Sequence, residues 1–212
     1  MKKLLVAAAV TGLVGTVNAQ SAFEGFYGQV GVGYESVDLG ISNDVVSSGE
    51  AYTFSSSNAN SFTGSVGIGA YFPVTKTFLL GAGAEYSPFA GSSTNAIFNI
   101  PTVSYTSTTS WKKKNSYNIF LSPAIAVDKD KLAYAKVGFT GMSTHHATAN
   151  GTQSNDDYTG YSLGLGYKQM VSRSIYAFGE VNYSTYGSKE DDFSLTNKPS
   201  TMNALVGVGY KF

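Results

Sequence analysis

Apolar and polar positions alternate with period two along this chain, in runs of about ten residues. Eight such runs recur, at residues 26–37, 61–72, 78–87, 116–127, 132–141, 159–170, 175–184 and 201–212. Alternate side chains of a β-strand point to opposite faces. One face of each run is apolar or aromatic: Val30, Val32 and Tyr34 in the first, Val66, Ile68, Ala70 and Phe72 in the second, Leu163, Leu165 and Tyr167 in the sixth. The other face is small or polar, as with Gln29, Gly31, Gly33 and Glu35. The glycines on that face make room for larger inward residues such as Phe120, Tyr134, Tyr176 and Phe178, as a narrow filled interior requires.

The links between runs alternate in length. Long ones cover 38–60, 88–115, 142–158 and 185–200, and short ones cover 73–77, 128–131 and 171–174. That order predicts an antiparallel up-and-down meander with its short turns at one end and its long loops at the other. This is the plan of a closed transmembrane barrel with an even strand number. The predicted fold is therefore all-β, an eight-stranded transmembrane β-barrel. Residues 51–56 and 97–105 are two further strand-like stretches that would make ten if they joined the ring. They are expected instead to extend hairpins beyond the membrane, with Pro101 interrupting the second.

Aromatic placement supports the same reading. The long-loop end of the apolar face carries Tyr34, Phe62, Tyr86, Tyr117, Phe139, Tyr161, Tyr183 and then Met202. Trp111 has the parity of Tyr117 further out. The short-turn end carries Phe26, Phe72, Phe78, Tyr167, Tyr210 and Phe212. Two aromatic girdles around an apolar band are what amphipathic rings form at bilayer interfaces.

The start of the chain reads differently. Met1-Lys2-Lys3, an apolar run over 4–17, then Asn18 and Ala19 have the form of an export signal peptide over residues 1–19, cut before Gln20. The barrel domain then occupies residues 20–212. Without Lys2 and Lys3 the chain keeps 12 basic against 14 acidic residues, a net charge of −2. A nucleic-acid partner needs a basic face, and none is present. Cysteine is absent, which excludes a disulfide-stapled exported domain. The GxG pairs (GVGY, GIGA, GAGA, GLGY) sit inside strands rather than between a strand and a helix, so they are not dinucleotide loops.

These features resemble the small OmpA-like and opacity-type outer-membrane barrels, through the signal peptide, the GxGY strands and the terminal run from Ala204 to Phe212. The resemblance implies a location in the outer membrane, reached through the periplasm. It implies that Tyr210 and Phe212 form part of an assembly signal read by the barrel-assembly machinery. Full-length OmpA carries a periplasmic peptidoglycan-binding domain after its barrel. Here the sequence stops at Phe212, so no cell-wall tether is expected.

Candidate chemistry is sparse. Glu85, Lys136, Lys168 and Glu180 have inward parity, and two acids with two bases can neutralise one another as a plug. Lys136 is expected between Glu85 and Glu180, with Lys168 completing neutrality. Lys112, Lys113 and Lys114 lie just beyond the outer girdle. They read either as a solvated edge or as point charges for lipopolysaccharide phosphates. His145 and His146, with Asp156 and Asp157 nearby, lack the convergence a metal site needs, and Ser143 has no ordered triad to join. No metal or cofactor is expected. The expected role is a non-enzymatic, monomeric barrel, serving membrane integrity and meeting lipid, lipopolysaccharide and a host or surface ligand. The alternatives are a narrow solute channel and a lipid A-modifying enzyme.

Overall fold

The computed structural model describes residues 21–40, 45–47, 50–100, 104–148, 151–190 and 196–212. The predicted signal peptide, its cut between Ala19 and Gln20, and Pro101 lie outside them. The described strands are β1 (Gly25–Asp38), β2 (Val45–Ser47), β3 (Glu50–Ser56), β4 (Ala59–Pro73), β5 (Phe78–Ser87), β6 (Ser93–Ile100), β7 (Tyr105–Asp128), β8 (Lys131–Thr148), β9 (Gln153–Met170), β10 (Ile175–Tyr186), β11 (Lys189–Glu190), β12 (Thr196–Asn197) and β13 (Ser200–Lys211).

Eight of these close a ring in the order β1-β4-β5-β7-β8-β9-β10-β13, every pair antiparallel. They are the eight predicted runs. The last strand seals the ring against the first from Tyr27↔Lys211 to Asp38↔Ser200. Closure leaves no free edge in the hydrocarbon, where an unpaired backbone group would find no water. The ten-stranded alternative is not realised: β3 pairs with β6, and β6 with the outer part of β7, outside the ring. Strand β7 has 24 residues, or roughly 80 Å at ~3.3 Å each. That far exceeds one bilayer crossing, so its outer half, with those of β8 and β9, stands above the membrane.

The outward face carries the apolar rows, with Val32, Ile68, Ile119, Leu163, Leu165 and Val206 all more than half exposed. Register makes neighbours of the girdle residues: Tyr34↔Phe62, Tyr86↔Tyr117, Phe139↔Tyr161 and Tyr183↔Met202. Tyr34 meets Phe62, and Phe139 meets Tyr161, edge to face at 5.8 and 6.3 Å. Ala70 departs from its row, being buried. Its Cα partner is Phe26, and a methyl beside so large a neighbour is overshadowed.

Inside, glycine and large aromatic residues interlock. A methyl on Gly166 would overlap the Tyr134 ring, and one on Gly209 the Tyr176 ring. The lumen therefore has two apolar knots. At the turn end Tyr27, Tyr71, Leu79, Leu132, Tyr134, Tyr176 and Phe178 pack around Phe23. At the outer end Leu39, Trp111, Met142, Tyr158 and Tyr186 pack together. Trp111 is thus not a girdle residue. A β-bulge between Lys113 and Asn115, against Ser143 and Thr144 of β8, inserts Lys114 as an extra residue and inverts the parity of everything further out on β7.

Candidate functional site

The lumen is built in levels. Nearest the turns, the segment ahead of β1 crosses the mouth, with Ala22 N donating to Lys129 O at 2.9 Å. This wedges Phe23 edge-on against Tyr176 at 5.8 Å. Above it sits Lys168, fully buried. It does not complete the charge cluster by pairing with an acid. Its Nζ lies 3.6 Å from the centre of the Tyr27 ring and 4.8, 5.2 and 5.3 Å from those of Tyr176, Tyr71 and Tyr134. Four tyrosine faces thus hold the ammonium by cation–π attraction. It also donates to Tyr176 Oη at 3.4 Å, and that hydroxyl donates to Gln29 Oε1 at 3.0 Å.

The next level is the charge cluster. Lys136 Nζ lies 2.8 Å from Glu85 Oε2 and 2.9 Å from Glu180 Oε1. Further donors reach both acids: Tyr134 Oη donates to Glu180 Oε2 at 2.7 Å, Asn182 Nδ2 to Glu180 Oε1 at 3.0 Å, and Gln29 Nε2 to Glu85 Oε1 at 3.3 Å. The strands supply these groups from three directions, with Glu85 on β5, Lys136 on β8 and Glu180 on β10. A carboxylate pair bridged by one ammonium, each acid accepting three hydrogen bonds, is a structural lock.

A second pair closes the outer level: Lys113 Nζ sits 2.6 Å from Glu35 Oε1 and 2.7 Å from Oε2, both residues buried. This corrects the reading of Lys113 as a contact for lipopolysaccharide, since the bulge turns it into the lumen. Glu35 stood on the polar face in the sequence with no base assigned to it. An inward acid without a partner was the available signal, and the bulge hid the answer. Between the two charge levels lies a cavity of about 50 Å³, lined by Ser65, Asn118, Thr140, Ser162, Asn203 and others. That is room for a few water molecules.

Lys112 and Lys114 remain outside and exposed. Lys114 Nζ and His145 Nδ1 converge on Asn155 Oδ1, at 3.3 and 3.1 Å, and Lys112 faces His145 across the ladder. His146 takes the opposite face, with Nε2 3.1 Å from Asp156 Oδ2 and its ring 4.0 Å from that of Trp111. Ser143 Oγ donates to Asp157 Oδ1 at 2.6 Å, away from His146. The two histidines therefore diverge, and serine, imidazole and carboxylate form no single relay. Tyr210 and Phe212 lie on the lipid face, both at least half exposed, with ring centres 5.3 Å apart.

Comparison with known proteins gives a family and a fold. The family model for the outer membrane protein beta-barrel domain matches residues 5–212. Among solved structures, the outer membrane protein OprG of Pseudomonas aeruginosa aligns at 14% identity over 92% of this chain and 99% of its own, with a TM-score of 0.50. Neisserial surface protein A aligns at 13% identity over 89% and 98%, TM-score 0.50. The outer membrane protease OmpT of Escherichia coli aligns at 8% identity over 93% and 99%, TM-score 0.48. At these identities the likeness is one of fold alone. No curated protein sequence matches.

Proposed function

The chain belongs to the outer membrane protein beta-barrel domain family, and on that premise we propose that it is a non-enzymatic, monomeric barrel that braces the outer membrane and presents its outer strands and loops to the surroundings. It is exported with residues 1–19 as a signal peptide and matures at Gln20. Tyr210 and Phe212 present the last strand to the barrel-assembly machinery. The single observation that carries this reading is the state of the lumen charges. Lys136 and Lys113 are neutralised by acids, Lys168 is caged by tyrosines, and apolar knots close both ends. The cations left for a partner, Lys112 and Lys114 among them, face outward.

The outward partner is lipopolysaccharide. Lys112 and Lys114 stand a few rungs above the Tyr117 girdle on the lipid-facing side, with His145 between β7 and β9. That is the level of the phosphates, which clustered ammonium groups attract as point charges. The test replaces Lys112 and Lys114 with Gln and measures lipopolysaccharide retained on purification at low and high salt. Exposed charges are screened beyond ~10 Å at 0.1 M salt, so the loss should be large at low salt and small at high salt. Lys113→Gln should leave retention unchanged, because that side chain is inside the barrel. Equal retention by all three proteins at low salt would remove lipopolysaccharide from the reading. Mass spectrometry of lipid A with and without expression tests the non-enzymatic part, with identical spectra expected.

A further inference from the structure

The chamber between the two charge levels has an opening in its side. Strand β5 stops at Ser87, while its neighbours run on, β4 outward to Ala59 and β7 to Tyr105. The β4–β5 ladder ends at Val66↔Tyr86, and beyond it β4 keeps β1 as its ladder partner. The chain after Ser87 leans the other way, with Gly91 N donating to Lys113 O at 2.9 Å. Thr63 Oγ1 and Ser87 Oγ, 3.3 Å apart, bridge the seam by side chains. Ser61 Oγ, close to Gly91 on the same seam, is buried without a partner.

The cavity lining tells where the seam leads. A cavity seen only from inside touches alternate residues of a strand. This one touches three in succession on β4, Thr63, Gly64 and Ser65, and meets β5 across the seam at Ser87. Gly64 belongs to the outward row. Phe89 lies over this point: a Cβ on Gly64 would come within 2.8 Å of its ring, and the ring is half exposed. The Tyr86↔Tyr117 rung puts the seam at the outer aromatic girdle. A strand edge without ladder partners is tolerated at membrane depth only where protein covers it or where it lines a wet cavity, and here Phe89 lies on one side and the chamber on the other.

We propose that this seam is a side entrance, with Phe89 as its flap, through which the small polar head of an outer-leaflet amphiphile enters the chamber while its tail stays on the lipid face. The chamber chemistry defines the head. Its hydroxyls and amides suit a hydroxyl-bearing group. Its two acids, Glu35 and Glu85, already have lysine partners, which blunts their pull on a cation. Space for a few water molecules suits a head of about glycerol size.

The absence of cysteine makes the test clean. Asn118→Cys puts one thiol on the chamber wall, and Ser162→Cys puts one beside it on β9 should the first variant fail to show heat-modifiable migration. Each is reconstituted in bilayers and labelled with N-dodecylmaleimide dissolved in the lipid, or with a sulfonated maleimide in the water. The lipid-borne reagent should react several-fold faster than the aqueous one. Adding Phe89→Ala should speed it further, and monoolein in the bilayer should slow it where free glycerol does not. Labelling by the aqueous reagent alone, indifference to Phe89→Ala, or equal protection by glycerol and monoolein would each overturn the side entrance.

Discussion

Lys136 and Lys168 are both buried lysines in one lumen, yet their environments predict opposite tolerance. Lys136 bridges two carboxylates. Replacing it with Met strands both acids beside each other in a nearly dry space, at a cost of about 3–5 kcal/mol. Glu85→Gln leaves Glu180 to balance Lys136 and should cost less. Lys168 has tyrosine faces for company and no direct ion pair with Glu85 or Glu180, so its removal takes away only a longer-range balance to those two acids. Lys168→Met, which keeps the volume, should therefore lower the urea midpoint far less than Lys136→Met. Equal midpoints for the two variants would contradict this assignment. Gly209→Ala tests packing at the same scale. Its methyl would meet the Tyr176 ring and force it to move, with an expected destabilisation of roughly 1–3 kcal/mol, measurable as a lower temperature for heat-modified migration.

The element that departs from plan is β7. One extra residue, Lys114, changes which face carries Trp111, Lys112 and Lys113. The bulge lets a single strand offer lysines to both sides, one to Glu35 within and two to the exterior. Because Lys113 is already opposite Thr144 and Asn115 opposite Ser143, deleting Lys114 leaves a regular ladder. The prediction is that this deletion keeps the Glu35–Lys113 pair and the thermal midpoint close to the parent, while halving the exterior lysines and weakening lipopolysaccharide retention. A collapse of the midpoint would mean that the bulge itself bears the strain of the outer strands. Strand β5 makes the complementary departure by ending early, and its short length creates the seam beside Phe89.

At the scale of the whole molecule, closure and filling decide conduction. An eight-stranded lumen is just wide enough for side chains to fill, and here the filling comes in successive layers: Phe23 and the tyrosine knot, the Lys136 cluster, then the Glu35–Lys113 pair and the Trp111 knot. Planar-bilayer recordings of the purified barrel should show no steady conductance. Lys136→Ala should also stay closed, because the layer beneath it survives. A stable conducting state in the parent would favour the channel reading over the bracing one.

Strand number, the two girdles and the inward position of Glu85, Lys136 and Glu180 were all legible in the sequence. Each follows from period-two alternation, which is local: a residue's face depends only on its distance from its neighbours along one strand. Lys168 shared that parity, but parity does not say which inward groups lie at one height around the ring, and Tyr27, Tyr71, Tyr134 and Tyr176 reach it from four different strands. Lys113 and Trp111 were misplaced because a bulge is a one-residue event in the pairing of two strands and leaves no mark on the composition of either. The seam at Thr63 and Ser87 depends on where one ladder stops while its neighbours continue. Which face a residue takes within an unbroken strand was thus determined by the sequence alone. Which residues meet across the lumen was decided by the closed barrel, because register and strand length are properties of pairs.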